Sequence, residues 1–141
     1  MTAAARAELP LCLVHVGELL LLFDPAEVRS IEGRHIPGRL LADQVAPLEV
    51  DLRDGLQVNT RSDRPESLIV SSPRGPLRLV VCEVEQLLQS ELRAVHPLPT
   101  ILRHHGRQIG LRGVVTVRGE LAYLSAPVEL GLALISLQGA A

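Results

Sequence analysis

The chain has 141 residues, a length that fits one domain, and its charged side chains give a formal net charge of −2. A slightly negative chain has no overall attraction for nucleic acid or for an acidic membrane surface. It contains one Phe, one Tyr and no Trp, and all its basic residues are Arg, so few rings are present for base stacking and no lysine amine for Schiff-base catalysis.

The most apolar stretch, 11–23, is too short to cross a membrane. A spanning helix needs about 20 apolar residues, and this stretch is interrupted by His15, Gly17 and Glu18. Glu8 and Pro10 precede it, which is unlike a signal peptide. We therefore expect a cytoplasmic protein with no direct membrane insertion. Both cysteines, Cys12 and Cys82, lie in apolar runs and are predicted to be buried reduced thiols.

The first half begins with a predicted mobile tail, 1–10. Two apolar runs around Gly17-Glu18 then predict a hairpin of strands 11–16 and 19–23, whose second strand is buried on both faces. Asp24-Pro25 predicts a helical turn that carries Val28 and Ile31 on one apolar face. Further strands are expected at 36–41 and 48–52. The polar stretch 57–66 is interpreted as a flexible connection.

The second half has clearer turn signals. Hairpins are predicted from 68–71 with 77–84, and from 111–117 with 121–124. The stretch 87–95 is a weaker strand or short helix, 96–99 is extended because of its prolines, and 127–137 forms a short helix. Turn signals recur about every 8 to 12 residues, which indicates a mainly β barrel or sandwich.

The order of these signals resembles the chemotaxis-coupling (CheW-like) family. Its motifs are matched, in the order of the family, by Gly17-Glu18 within the first hairpin, Val28-Arg29-Ser30-Ile31, the strand 77–84 (LRLVVCEV), 95–99 (VHPLP), 109–114 (IGLRGV) and Gly119-Glu120-Leu121. The resemblance covers roughly 11–135.

The resemblance implies a fold of two small SH3-like five-stranded β-barrel subdomains packed together, with short helices. In this chain they would form one CheW-like domain, 11–137, divided into about 11–66 and about 67–137. It also implies a non-enzymatic adaptor of a bacterial chemosensory array, without cofactor. Its partners would be the cytoplasmic signalling tips of chemoreceptors and the regulatory domain of a histidine kinase.

The first half departs from the family pattern. About twenty residues that usually follow the Val-x-x-Ile turn are missing, including an Asn-Leu-Arg-Gly segment. Either 37–41 (PGRLL) is the remnant of that segment, or 47–53 (PLEVDLR) matches a later family motif with one residue too many. The first barrel is therefore shortened, and kinase binding is the implication that this shortening leaves open.

By analogy with the family, six residues are expected to bind partners. The apolar ones would form a groove for a receptor helix tip, and the charged ones would fix its orientation. For Val81 and Leu98 the alternative is simple core packing. The six are Val28, Ile31, Arg39, Val81, Glu83 and Leu98.

Other functions have weaker support. The histidines lack ligand spacing, so no metal site is expected, and no catalytic motif such as GxSxG, HExxH or a phosphate loop is present. The best rival is a small nucleic-acid-binding barrel, because Arg103, Arg107, Arg112 and Arg118 form a local basic region. The scarcity of aromatic residues argues against nucleic acid as a partner. A generic assembly module is the remaining alternative.

Overall fold

The structure, a computed structural model, describes residues 11–56, 64–87 and 92–139. Within these ranges the chain forms ten strands and three helices. The strands are β1 (Leu11–Val16), β2 (Leu19–Phe23), β3 (Val28–Arg34), β4 (Leu48–Asp51), β5 (Glu66–Ser72), β6 (Gly75–Val81), β7 (Glu83–Leu87), β8 (Leu92–Pro97), β9 (Leu111–Val117) and β10 (Glu120–Ser125). The helices are α1 (Leu52–Gly55), α2 (Thr100–Gln108) and α3 (Pro127–Gly139). The prediction of a mainly β fold with short helices is confirmed.

The strands form two sheets, one with the order β7-β1-β2-β10-β9-β8 and one with the order β3-β5-β6-β4. The sheets therefore contain six and four strands, and the closed five-stranded barrels implied by the resemblance stay a prediction. The first hairpin joins strands of the second half, while β5 and β6 pair with β3 and β4. A subdomain division near residue 66 likewise stays a prediction. In this topology β5, which begins at that boundary, lies in the same sheet as β3.

All three predicted hairpins are present. β1 pairs with β2, β5 with β6 and β9 with β10, each in antiparallel register. The predicted strand 77–84 is divided, because β6 ends at Val81 and β7, in the other sheet, begins at Glu83. All three turns contain a glycine with positive φ, a conformation that costs a glycine little: Gly17 at 61°, Gly75 at 105° and Gly119 at 82°. The expected helix after β10 is α3, which begins at Pro127.

The six-stranded sheet is buried on both faces, which explains the leucine run of β2. Leu21 belongs to a first core formed with β4, β5, β6 and α3, while Leu20 and Leu22 belong to a second core on the other face. The second core consists of Leu13, Leu20, Leu22, Leu87, Val115, Val117 and Ala122. Burial of such aliphatic side chains stabilises the fold by about 1.5–3 kcal/mol each.

Two local predictions were wrong, and one helix was missed. Val28 and Ile31 lie on a strand, β3, and the preceding turn ends at Glu27. The stretch 36–41 is a loop, because Pro37 lacks the donor that a strand needs and Gly38 takes a φ of 77°. The helix α2 was not predicted, since its central Gly106 and two histidines favour helix weakly.

The tail 1–10 and most of the connection 57–66 lie outside the described residues, although Glu66 already belongs to β5. No helix in the described ranges combines the length and hydropathy needed to span a membrane.

Candidate protein-binding groove

A groove of about 380 Å³ lies where the two sheets meet. It is bordered by β3, an outer strand of the four-stranded sheet, and β7, an outer strand of the six-stranded sheet. Outer strands leave one row of backbone groups unpaired, which makes them a natural site for a partner. We call this concavity the sheet-junction groove; its lining residues are Cys12, Pro25, Val28, Arg29, Ser30, Ile31 and Gln86.

The turn between β2 and β3 directs the chain from one sheet into the other and forms one end of the groove. The Asp24 carboxylate accepts a hydrogen bond from the Ala26 N–H at 3.0 Å, and the Asp24 N–H donates to the Ser125 carbonyl at 3.3 Å. The Glu27 carboxylate accepts from the Val128 N–H, in the first turn of α3, at 3.1 Å. These bonds anchor the turn to β10 and to α3. Because β3 follows the turn directly, they also fix where β3 begins.

Bulges in β3 place its two apolar side chains together. Residues three apart in a regular strand point to opposite faces. The register of β3 against β5 shifts between Val28 and Ser30, and the extra residue returns Ile31 to the side of Val28. Both side chains are half-buried against the first core and both line the groove. Val28 and Ile31 therefore share one face, on a bulged strand instead of the predicted helical turn.

The other four expected partner-binding residues lie elsewhere. Val81 is 0% exposed and belongs to the first core, and Leu98 is 3% exposed beside Gly106 of α2, so both occupy positions of core packing. Arg39 is half-exposed in the loop after β3, where its charge contributes to lowering the pKa of Glu32 after the larger effect of hydrogen bonding by Arg78. Glu83 is exposed at the start of β7, three residues before Gln86.

Glu83 belongs to a charged cluster that links β1, β7 and the β9–β10 turn. The His15 Nε2 lies 3.5 Å from Glu85 Oε1 and 4.0 Å from Glu83 Oε2. One ligand atom from each of the three residues lies within 4.8 Å of the others, a spacing that allows a metal ion, and no other group in the described part of the chain has it. Arg118 donates a hydrogen bond to the second Glu85 oxygen and so lowers the Glu85 pKa. The Arg118 guanidinium therefore already neutralises the Glu85 carboxylate, and we interpret the cluster as a group of ion pairs.

A buried network lies on the other sheet. Arg78 donates from Nε to Glu32 Oε1 at 2.7 Å and from Nη2 to Glu32 Oε2 at 2.8 Å, while Ser67 Oγ donates to Glu32 Oε1 at 2.7 Å. Glu49 on β4 accepts a third bond from Arg78, at 3.4 Å. The Arg78 hydrogen bonds hold the Glu32 pKa below its ordinary value. The network thus connects all four strands of the sheet that carries Val28 and Ile31.

The groove combines apolar side chains with a few polar ones. Its thiol side chain, Cys12, is 4% exposed, and burial raises the pKa of that thiol. A thiol with a raised pKa is a poor nucleophile because the thiolate is the reactive form. Apolar side chains from Val28 and Ile31, with Arg29 at the rim, instead suit contact with a protein segment.

Sequence reasoning missed Cys12 and Gln86 as groove residues. The two are opposite each other in the pairing of β1 with β7, which joins distant parts of the chain. No local pattern in either segment indicates that pairing. The same long-range pairing places His15 opposite Glu83, so the charged cluster could not be predicted from local sequence patterns either.

No protein-family model and no curated protein matches the chain. Among solved structures the chain is similar to the scaffolding protein TtCheW from Thermoanaerobacter tengcongensis, with a TM-score of 0.61 and 14% sequence identity. The match covers 84% of this chain and 88% of that protein. Most of both backbones therefore follows the same path, and the chain has the CheW-like fold.

Proposed function

We propose that the chain is a non-enzymatic adaptor of a bacterial chemosensory array that acts in the cytoplasm and binds the signalling tips of chemoreceptors. The observation that carries the proposal is the fold, which extends over 84% of the chain and is shared with the scaffolding protein TtCheW. The sheet-junction groove is the proposed docking site for the receptor helix tip. Val28 and Ile31, which the family resemblance implies as contacts, are together in this groove.

The chemistry of the groove supports a helix tip as occupant. Val28 and Ile31 are half-buried and so present apolar surface that a partner can cover. Arg29 and Gln86 at the same groove offer hydrogen bonds at its border. An apolar centre with a polar rim is the usual anatomy of a protein interface. Glu83, exposed at the start of β7, would set the orientation of the partner through its charge.

Binding of a histidine kinase regulatory domain is proposed to be weak or lost. In the family, kinase pairing uses the first barrel, and the sheet that contains β3 has four strands here. Only a loop connects β3 to β4, in place of the longer family segment. The chain would then act as an accessory coupler beside a complete one. The competing possibility is that residues 45–66 rebuild the kinase surface with different residues.

Isothermal titration with both purified partners tests these proposals. A receptor cytoplasmic fragment should bind the full chain, and an isolated kinase regulatory domain should bind at least tenfold more weakly than it binds a full-length coupling protein. Ile31→Glu should abolish receptor binding, because a charge would be desolvated in the groove. Val95→Glu, a change of the same kind on exposed β8, serves as the matched control and should bind as wild type.

Two results would overturn the proposals separately. Kinase binding as tight as that of a full-length coupler would refute the accessory role while leaving receptor binding intact. Failure to bind either partner would favour the generic assembly module.

A further inference from the structure

The solvent-facing side of α2 carries concentrated positive charge in a chain of net charge −2. The helix contains two arginines and two histidines and no acidic residue. Arg103, His104, Arg107 and Gln108 are all exposed, whereas Gly106 is buried and faces Leu98 and Leu111. The helix therefore packs through its glycine side and presents Arg103 and Arg107 to solvent.

The exposed residues form two adjoining rows along the helix. Residues at spacings of three and four lie above one another on an α-helix. One row contains Thr100, Arg103 and Arg107, and the other contains Ile101, His104 and Gln108. Within the second row the side chains of His104 and Gln108 are in contact, with their Nε2 atoms 3.4 Å apart. Ile101 is 86% exposed, so the basic rows include one large apolar side chain open to solvent.

The surface is concave next to these rows. A groove of about 460 Å³ is lined by Thr100, Arg103, His104, Arg107 and Gln108. A second, of about 450 Å³, is lined by Arg107, Leu111, Arg112 and Glu129, so Arg107 belongs to both. Arg112 is neutralised by Glu129 at 2.6 Å, whereas Arg103 donates a hydrogen bond to the uncharged Leu98 carbonyl at 3.4 Å.

We propose that this side of α2, which we call the basic helix face, binds an acidic amphipathic helix of a protein partner. Acidic side chains of the partner helix would pair with Arg103 and Arg107 through charge complementarity. An apolar side chain of the same helix would cover the exposed Ile101. A nine-residue helix is about 13 Å long, which matches about two to three turns of a partner helix.

Nucleic acid fits this face less well than an acidic helix does. Neutralisation of phosphates by a DNA-binding protein commonly involves about 6–10 contacts, and this face offers two arginines besides His104. In the described residues Phe23 is 1% exposed and Tyr123 is half-buried in an apolar cavity, so neither ring is presented for stacking at α2. A phosphate backbone also offers no apolar surface that could cover Ile101.

Fluorescence anisotropy with the full chain tests the proposal. The probes are a labelled helical peptide of glutamate and leucine at amphipathic spacing, the same peptide with glutamine for glutamate, and a labelled oligothymidylate. The acidic peptide should bind at least tenfold more tightly than the glutamine peptide and weaken as salt rises. Ile101→Gln should weaken binding without changing the salt dependence.

Variants locate the binding to α2. Arg103→Gln with Arg107→Gln preserves helix propensity and should weaken acidic-peptide binding at least tenfold. Arg64→Gln with Arg74→Gln removes the same charge from exposed positions away from α2 and should leave the affinity unchanged. Equal losses in both double variants, equal binding of the two peptides, or tighter binding of oligothymidylate would each overturn the proposal. Ile31→Glu in the sheet-junction groove should not affect this assay, which separates it from the receptor test.

Discussion

Arg78 and Glu32 form a two-point hydrogen-bonded ion pair inside the four-stranded sheet, with donor–acceptor distances of 2.7 and 2.8 Å. The side chain of Arg78 is 1% exposed and that of Glu32 is 9% exposed. The pair spans from β6 to β3 across β5, and Glu49 extends it to β4. It therefore supports the strand whose side chains form one wall of the sheet-junction groove.

Removal of one partner should be costly. Arg78→Met leaves the Glu32 carboxylate buried without its cation, and we expect a loss of about 3–5 kcal/mol in the free energy of unfolding. Urea denaturation measures this. The exposed pair Arg112–Glu129 is the control, since Arg112→Met should cost less than about 1 kcal/mol. If Arg78→Met is as mild as Arg112→Met, the network does not stabilise the sheet.

The same pair should make stability depend on pH. Hydrogen bonds from Arg78 lower the folded pKa of Glu32 below its ordinary value of 4.5. Ionised Glu32 therefore stabilises the fold above that value, and the stabilisation is lost as the pH falls through the lower folded pKa. The difference in unfolding free energy between wild type and Glu32→Gln should shrink between pH 7 and pH 3. A difference that stays constant over this range would contradict the assignment.

Gly110 should tolerate substitution less well than Gly119, although both have a φ of 82°. A Cβ on Gly110 would lie 2.8 Å from the Ala126 carbonyl oxygen, whereas nothing lies within 4 Å of one on Gly119. Gly119→Ala should cost about 1–2 kcal/mol from the backbone alone. Gly110→Ala adds overpacking at the start of α3 and should cost about 2–5 kcal/mol. Thermal unfolding of both variants decides this, and equal losses would refute the close approach.

The two thiols should react at different rates. Cys12 is buried and burial raises its pKa, while Cys82 is partly exposed. A disulfide reagent such as Ellman's reagent should label Cys82 first and Cys12 slowly, because a protonated buried thiol reacts poorly. Cys82→Ala should remove the fast phase, and Cys12→Ala should retain it. A fast phase that survives in Cys82→Ala would show that Cys12 is accessible through the groove.

Local patterns predicted the hairpins but not the pairing between them. The runs around Gly17-Glu18 and Gly119-Glu120 carry their turn and their apolar periodicity within a few residues, so the strands β1, β2, β9 and β10 were found. The parallel pairing of β2 with β10 involves Leu21 opposite Tyr123, and nothing near either residue indicates it. The division of the strands into six and four follows from such long-range pairing.

The groove was predictable only in part. Val28 and Ile31 were identified through the order of motifs, but their spacing of three suggested a helical turn, and the bulge that groups them leaves no mark in the sequence. Val81 and Leu98 were predicted to bind a partner but are buried in the structure. The sequence of a family motif does not show whether an apolar residue packs in a core or contacts a partner. Burial alone distinguishes the two.

Nuclear magnetic resonance of methyl-labelled protein tests the central claim most directly, namely that a receptor tip occupies the sheet-junction groove. A chemoreceptor cytoplasmic fragment would be titrated into the full chain with labelled isoleucine, leucine and valine methyl groups. The account predicts shifts at Val28 and Ile31, while Val95 and Leu121, exposed on other strands, stay unchanged. Shifts confined to Val95 and Leu121, or none at a saturating concentration of the fragment, would contradict it.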